Sequence, residues 1–488
     1  MIGSSRTAGV AGLASSKAVV RVAALLLLLA AVCPSPSAQA AEAADASVGW
    51  RGNGTGVYPD AQPPVKWSAT ENILWRTPLP GKSNASPLLV GDRIFVCAEP
   101  STLLCVSAKD GAILWSSSTT YADAAPENAR QQALANQAKA DSLRRKVREL
   151  ETAQTEVSEA LGKTPDDAAL KAKLAKLEGE GKEASEALKA LASYVPPKTS
   201  DDTGYASPTP ASDGKQVYVA FGTGIVACYD LEGQGQWVRR FETNPDDREP
   251  GIYGVSESPL VVGGQVLVQL KKLTALDAAT GRTLWQADAV CHYGSPIRLC
   301  IGDIAAVLTA CGDVFRLGDG KALATKIWPS EGLPLETCCS PVVPGDTAYL
   351  VGKGGGAVRL KPSSDGRIVA EMLWEAKAIR GWCVGSPVCA DGLLYALVDG
   401  RFTVLNAADG KTVYKQALFK GKCYSSVALA GPYLYASNNE GETVVIRPGR
   451  EYQEVARNTL EPFTSCLVFS GTRLYVRGQT HLYCIGAE

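Results

Sequence analysis

From Ser86 onward the chain alternates short apolar runs with Gly-bearing turns, and within each run the alternation has the two-residue period of a half-buried strand. Lys215-Gln216-Val217-Tyr218-Val219-Ala220 is one such run, and Gly222 and Gly224 supply the hairpin turn after it. Copies of this pattern begin at Ser86-Pro87, Ser207-Pro208, Ser258-Pro259, Ser295-Pro296, Ser340-Pro341 and Ser386-Pro387, with degenerate copies near Ser426-Val427 and Cys466-Leu467. After the second copy the starts are 51, 37, 45, 46, 40 and 40 residues apart. That is the ~40–50-residue period of a four-stranded blade. The pattern therefore predicts an all-β fold, an eight-bladed β-propeller, with seven blades as the alternative if the degenerate copies do not form. Outer strands close on Trp115, Trp237, Trp285, Trp328, Trp374 or Tyr414, aromatics suited to the wedge between neighbouring blades. The last copy lacks an outer strand. Asn72-Ile73-Leu74-Trp75-Arg76 carries that signature upstream, so an N-terminal strand is expected to complete the final blade and close the ring.

The period breaks between Trp115 and the second copy. From about Pro126 to Ser193 the chain is rich in Ala, Lys, Glu, Leu and Gln and nearly free of β-branched and aromatic residues. Leu143, Val147, Leu150, Val157 and Leu161 share one helical face, as do Leu170, Leu174, Leu177, Ala184, Leu188 and Leu191. Thr164-Pro165-Asp166-Asp167 reads as the start of the second helix. Two helices of about 35 and 28 residues are expected, forming an antiparallel coiled-coil hairpin about 40–50 Å long. The hairpin is either a tolerated surface insertion or an arm for a partner or for self-association.

The N-terminus changes the picture of where the protein works. Arg6, Lys17 and Arg21 precede an apolar run from Val22 to Val32; Pro34 and Pro36 break it, and Ala38-Gln39-Ala40 fits a cleavage site. The run is too short to span a bilayer, which needs about 20 apolar residues. A signal peptide over 1–40 is expected, with lipidation at Cys33 the less favoured alternative. The expected organisation is then 41–122 for the N-terminal segment, closing strand and first blade, 123–197 for the helical hairpin, and 198–488 for the remaining blades. The mature protein would be periplasmic or secreted. Removing Arg6, Lys17 and Arg21 takes the formal charge from −1 to −4 (−1 − 3), and 49 basic against 50 acidic residues give no polyanion signal. Nucleic acid is not an expected partner, and no later segment is a transmembrane candidate. Thirteen cysteines would remain after loss of Cys33 from the fourteen. Cys105, Cys228 and Cys484 share a repeat position with Ala275 and Val404, which favours packing over pairing. Cys97 and Cys105 remain a pair that could bridge.

Ser-Pro starts with the Asp-Gly and Trp signature resemble the PQQ-like propeller repeat, over roughly residues 70–120 and 200–488. Trp50-Arg51-Gly52-Asn53-Gly54-Thr55-Gly56, followed by Ile73-Leu74-Trp75-Arg76-Thr77-Pro78-Leu79-Pro80-Gly81, looks like the opening of exported bacterial members. The superfamily includes the outer-membrane assembly lipoprotein BamB and, more distantly, the quinoprotein alcohol dehydrogenases. The resemblance to the latter implies pyrroloquinoline quinone (PQQ), calcium, and a vicinal disulfide at Cys338-Cys339 that packs against the cofactor. Their calcium ligands and catalytic Asp find no match here. His292 and His481 are the only histidines, and no H-E-x-x-H or G-x-S-x-G motif occurs.

No catalytic residue or metal ligand is therefore assigned, and no cofactor is expected, with PQQ and calcium the alternative. By their offset from the repeat starts, Asn84, Tyr205, Glu257, His292, Tyr293, Arg380, Trp382 and Tyr424 are expected around the central funnel. The leading expectation is a non-enzymatic scaffold that binds an envelope protein. A quinoprotein dehydrogenase and a propeller binding carbohydrate or another small ligand are the alternatives.

Overall fold

A computed structural model describes residues 48–243, 253–289, 293–328, 338–352, 355–376, 379 and 383–487. The expected signal peptide, His292, Arg380 and Trp382 lie outside the described residues. Eight antiparallel sheets follow one another along the chain, so the fold is the eight-bladed propeller and not the seven-bladed alternative. Blade one is Leu88–Val90, Arg93–Ala98, Thr102–Ser107 and Ile113–Ser118, each strand paired to the next. Blade eight takes three strands from Val468–Ser470, Arg473–Arg477 and His481–Ile485, and its outer strand from Ile73–Pro78, which pairs antiparallel to His481–Ile485. Ring closure by the N-terminal strand thus occurs where the sequence places it.

The innermost strands start at Leu88, Ala211, Leu260, Ile297, Val388, Ala428 and Val468, with a single bridge at Val342 in blade five. In seven blades the repeat start lies two residues earlier, as read. In blade two that place belongs to Thr209-Pro210, and the expected start at Ser207-Pro208 is two residues too early. Two Ser/Thr-Pro dipeptides in tandem made the sequence ambiguous, and the strand register decides between them.

Inter-blade packing follows one rule. Each outer-strand Trp sits opposite a small buried residue of its own blade, Cys105 for Trp115, Cys228 for Trp237, Ala275 for Trp285 and Cys484 for Trp75. Its indole N–H then donates to a turn carbonyl of the next blade: Trp115 to Leu231 (3.0 Å), Trp237 to Ala278 (2.9 Å), Trp285 to Leu317 (2.9 Å) and Trp374 to Ala407 (2.8 Å). The ring lies on the turn glycine of that next blade, so Gly233, Gly281, Gly320 and Gly410 have no room for a Cβ. Trp328 departs from the expected pattern. Blade four puts Ala324 at the docking position, and Trp328 lies beyond the strand, bonded to Ala310 of its own blade. Cys97 and Cys105 are both buried thiols and do not bridge.

The insertion forms two helices, α1 (Arg130–Lys163) and α2 (Ala168–Lys189), which pack on each other. The second is shorter than expected at 22 residues. Asp167 is its N-cap, accepting from the amides of Ala169 and Leu170, whereas Thr164 caps the end of α1. The acid wins because its carboxylate reaches two free N–H groups at the positive end of the helix. Leu150, Val157 and Ala184 of the expected seam are buried. Ala133 and Ala140 are buried as well, nearer the start of α1.

Candidate functional site

The central channel is lined by the repeat starts, which explains why they are Ser-Pro. The Ser86 amide donates to Thr209 Oγ1 (2.9 Å), that of Thr209 to Ser258 Oγ (3.0 Å), and that of Ser258 to Ser295 Oγ (2.9 Å). Ser340 donates to Ser386 (2.8 Å), Ser386 to Ser426 (2.9 Å), and Cys466 to Ser86 (2.9 Å). Six of these hydroxyls thus satisfy the backbone N–H of a neighbouring start, on an inner sheet edge that faces a further strand only in blade seven. Proline follows because that edge has no acceptor for an N–H.

Next to this belt the N-terminal segment crosses the channel. Val48 bridges Ser212 of blade two, and Val57–Tyr58 runs parallel to Leu429–Ala430 inside blade seven. Between them Arg51 is 2% exposed, with Nη2 donating to the carbonyls of Pro387 (2.8 Å) and Val427 (3.0 Å) in blades six and seven. Gly56 stands so close that a Cβ would meet the guanidinium at 2.3 Å, and its φ of +73° is in the left-handed region. Burial lowers the Arg51 pKa from its usual value, yet a guanidinium stays charged. The Trp-Arg-Gly opening is therefore a plug, and Trp50 lines the funnel beside it.

On the other side of the belt the chain leaving the hairpin runs over the mouth. The Asp202 carbonyl accepts from Asn84 Nδ2 (2.6 Å), and its carboxylate meets Lys422 Nζ at 2.5 Å, ahead of blade seven. Lys82 reaches the Asp201 carbonyl (3.3 Å), and Thr199 donates to the Tyr253 carbonyl (3.2 Å). Plug, belt and this strap enclose a cavity of about 470 Å³. Its aromatic lining is Trp50, Tyr253, Tyr293 and Tyr424; Asp202, Asp399 and Lys422 bring charge. Tyr253 meets Tyr293 edge-on at 6.0 Å.

The expected site residues divide. Asn84, Tyr293, Tyr424 and Cys338 line the cavity. Glu257 lies behind the wall, where it accepts from the amides of Tyr293 (2.9 Å) and Ser256 (3.1 Å). Its support holds Tyr293 at a φ of +73°, rare for a residue with a side chain. Tyr205 turns to the hairpin base, its hydroxyl bonded to the Pro197 carbonyl (2.8 Å) and its amide to Glu99. Trp50, Tyr253, Asp202 and Lys422 were not expected at the funnel.

The family model described as outer membrane protein assembly factor BamB matches residues 40–159, 178–371 and 317–450. The chain belongs to the BamB family. No curated protein sequence matches it. BamB from Moraxella catarrhalis is similar in structure at a TM-score of 0.54 and 12% identity, covering 85% of this chain and 99% of that one. Quinohemoprotein alcohol dehydrogenase from Comamonas testosteroni gives 0.49 and 11%, covering 93% and 84%. For this BamB-family chain the quinone alternative can be tested on its donors. Among the described residues no three His, Cys, Asp or Glu side chains stand together as a cation site, and Asp202 is already paired with Lys422. Cys338 and Cys339 are thiols, not the vicinal disulfide that the resemblance implies. The described funnel residues do not fit a calcium-bound quinone.

Proposed function

We propose that this protein is a non-enzymatic scaffold of the bacterial cell envelope, exported by its N-terminal signal, which docks a protein partner on the hairpin and funnel mouth together. The observation that carries the proposal is the strap, which makes those two features one surface. The chain enters the hairpin through Tyr121, whose hydroxyl donates to the Thr223 carbonyl (2.9 Å) and whose ring carries Arg240 at 4.0 Å. It leaves through Asp201–Thr203, bonded to Lys82, Asn84 and Lys422 around the rim. A partner lying along the helices therefore also meets the mouth. The similar BamB family is described as an outer membrane protein assembly factor, which agrees with a scaffold role.

The test is cross-linked capture from the native envelope. The full chain is compared with one in which residues 151–180 are replaced by a short Gly-rich turn, leaving the hairpin base intact. A partner held by the first and lost from the second is expected. Equal capture by both chains, or none by either, would overturn the hairpin's role.

The funnel's aromatic lining favours a second reading, a carbohydrate or other small ligand stacked among Trp50, Tyr253, Tyr293 and Tyr424. Titration with a glycan panel, read by Trp fluorescence, decides it; saturable quenching supports this reading and a flat response removes it.

A further inference from the structure

Blades five and six meet beside the funnel through more than the serine belt. Cys339 immediately precedes Ser340, and Cys383 lies three residues before Ser386, so the two thiols flank the 2.8 Å bond between Ser340 and Ser386. Both belong to one apolar cluster, at 2% and 7% exposure, and the Cys339 side chain acts on the Cys383 thiol, raising its pKa. Their remaining contacts are backbone carbonyls: Val351 for Cys339 (3.3 Å), and Gly385 (3.2 Å) and Leu397 (3.7 Å) for Cys383. Cys338, the sequence neighbour, lines the funnel instead. Two buried thiols of one apolar cluster, on separate blades and beside the bond that joins those blades, are placed for a covalent link between them.

We propose that Cys339 and Cys383 form a disulfide, an inter-blade cross-link at the funnel wall, when the chain meets a protein or small-molecule disulfide. One cysteine thiolate attacks the donor's S–S bond, expelling one donor sulfur as thiolate and leaving a mixed disulfide. The second cysteine thiolate then displaces the other donor sulfur. Each step breaks one S–S bond and makes one. The two cysteine protons end on the two donor sulfurs, which are reduced as the cysteine pair is oxidised. The neighbouring Cys339 side chain and then burial disfavour the Cys383 thiolate in the closed ring. The exchange therefore belongs to the assembling chain, and the packed blades shield the finished bond.

The full chain, folded in a glutathione redox buffer, is alkylated in denaturant without reduction, digested and analysed by mass spectrometry. The peptides carrying Cys339 and Cys383 are expected joined, and to stay joined under dithiothreitol until denaturant is added. In Cys338→Ala the link is expected to persist; in Cys383→Ala it is expected to vanish, with Tm falling to that of the reduced wild type. Alkylation of both thiols in the wild type overturns the proposal. So does a Cys338–Cys339 or Cys338–Cys383 linkage, or loss of the link in Cys338→Ala.

Discussion

Inside the funnel wall, the Glu257 carboxylate accepts backbone N–H groups, yet burial outweighs them and pushes its pKa from the ordinary 4.5 up to about 7. Between those values the folded protein holds a proton that the unfolded chain has lost. Stability from this group is therefore complete below about pH 4.5 and falls as pH rises through about 7. Glu257→Gln cannot ionise, so it is expected to gain on the wild type across that window, by on the order of 3 kcal/mol at about pH 8. Urea denaturation across the window checks this, and a mutant-to-wild-type difference independent of pH would refute it. The candidate site was partly legible in the sequence. Asn84, Tyr293 and Tyr424 reach the funnel because each sits at a fixed offset from a repeat start. The two-residue slip in blade two misplaced Tyr205. Arg51 stands out in the sequence only as part of an opening motif, because the carbonyls that hold it lie 336 and 376 residues away. No local pattern reports such partners.

Period and turn chemistry made the strands readable, since the side-chain face alternates wherever one side is buried. Helix ends were less so: Thr164 and Asp167 both suit a cap, and only the backbone shows which amides remain free. The element-scale rule that the sequence could not show is the Trp–Gly dock between blades. Gly281 and Gly214 separate its contribution from plain backbone strain. Both have positive φ, +66° and +86°, but a Cβ on Gly281 would lie 2.5 Å from the Trp237 ring, whereas Gly214 has open space. Gly214→Ala is expected to cost about 1 kcal/mol from the left-handed backbone alone. Gly281→Ala should lose a further ~1–3 kcal/mol by displacing the indole. Equal losses in urea unfolding would mean that the dock contributes little.

At the scale of the whole molecule, closure depends on one strand pair, Ile73–Pro78 against His481–Ile485. Arg477 ties the same seam from within, donating to the carbonyls of Gly81 (2.5 Å) and Cys97 (3.3 Å) in the approach to blade one and in blade one itself. A chain stopped before His481 keeps seven complete blades but leaves two open edges, which invite pairing between molecules. It is expected to elute as oligomers in size-exclusion chromatography and to lose cooperative unfolding. A monomer with the wild-type urea midpoint would show that the seam is dispensable. The same pairing also sets a clock for biosynthesis. Along the chain Ile73–Pro78 precedes its partner by some four hundred residues, so this pair can form only once nearly the whole sequence is present. No early stop can yield a finished ring, and each nascent chain is proofread for length by its own geometry.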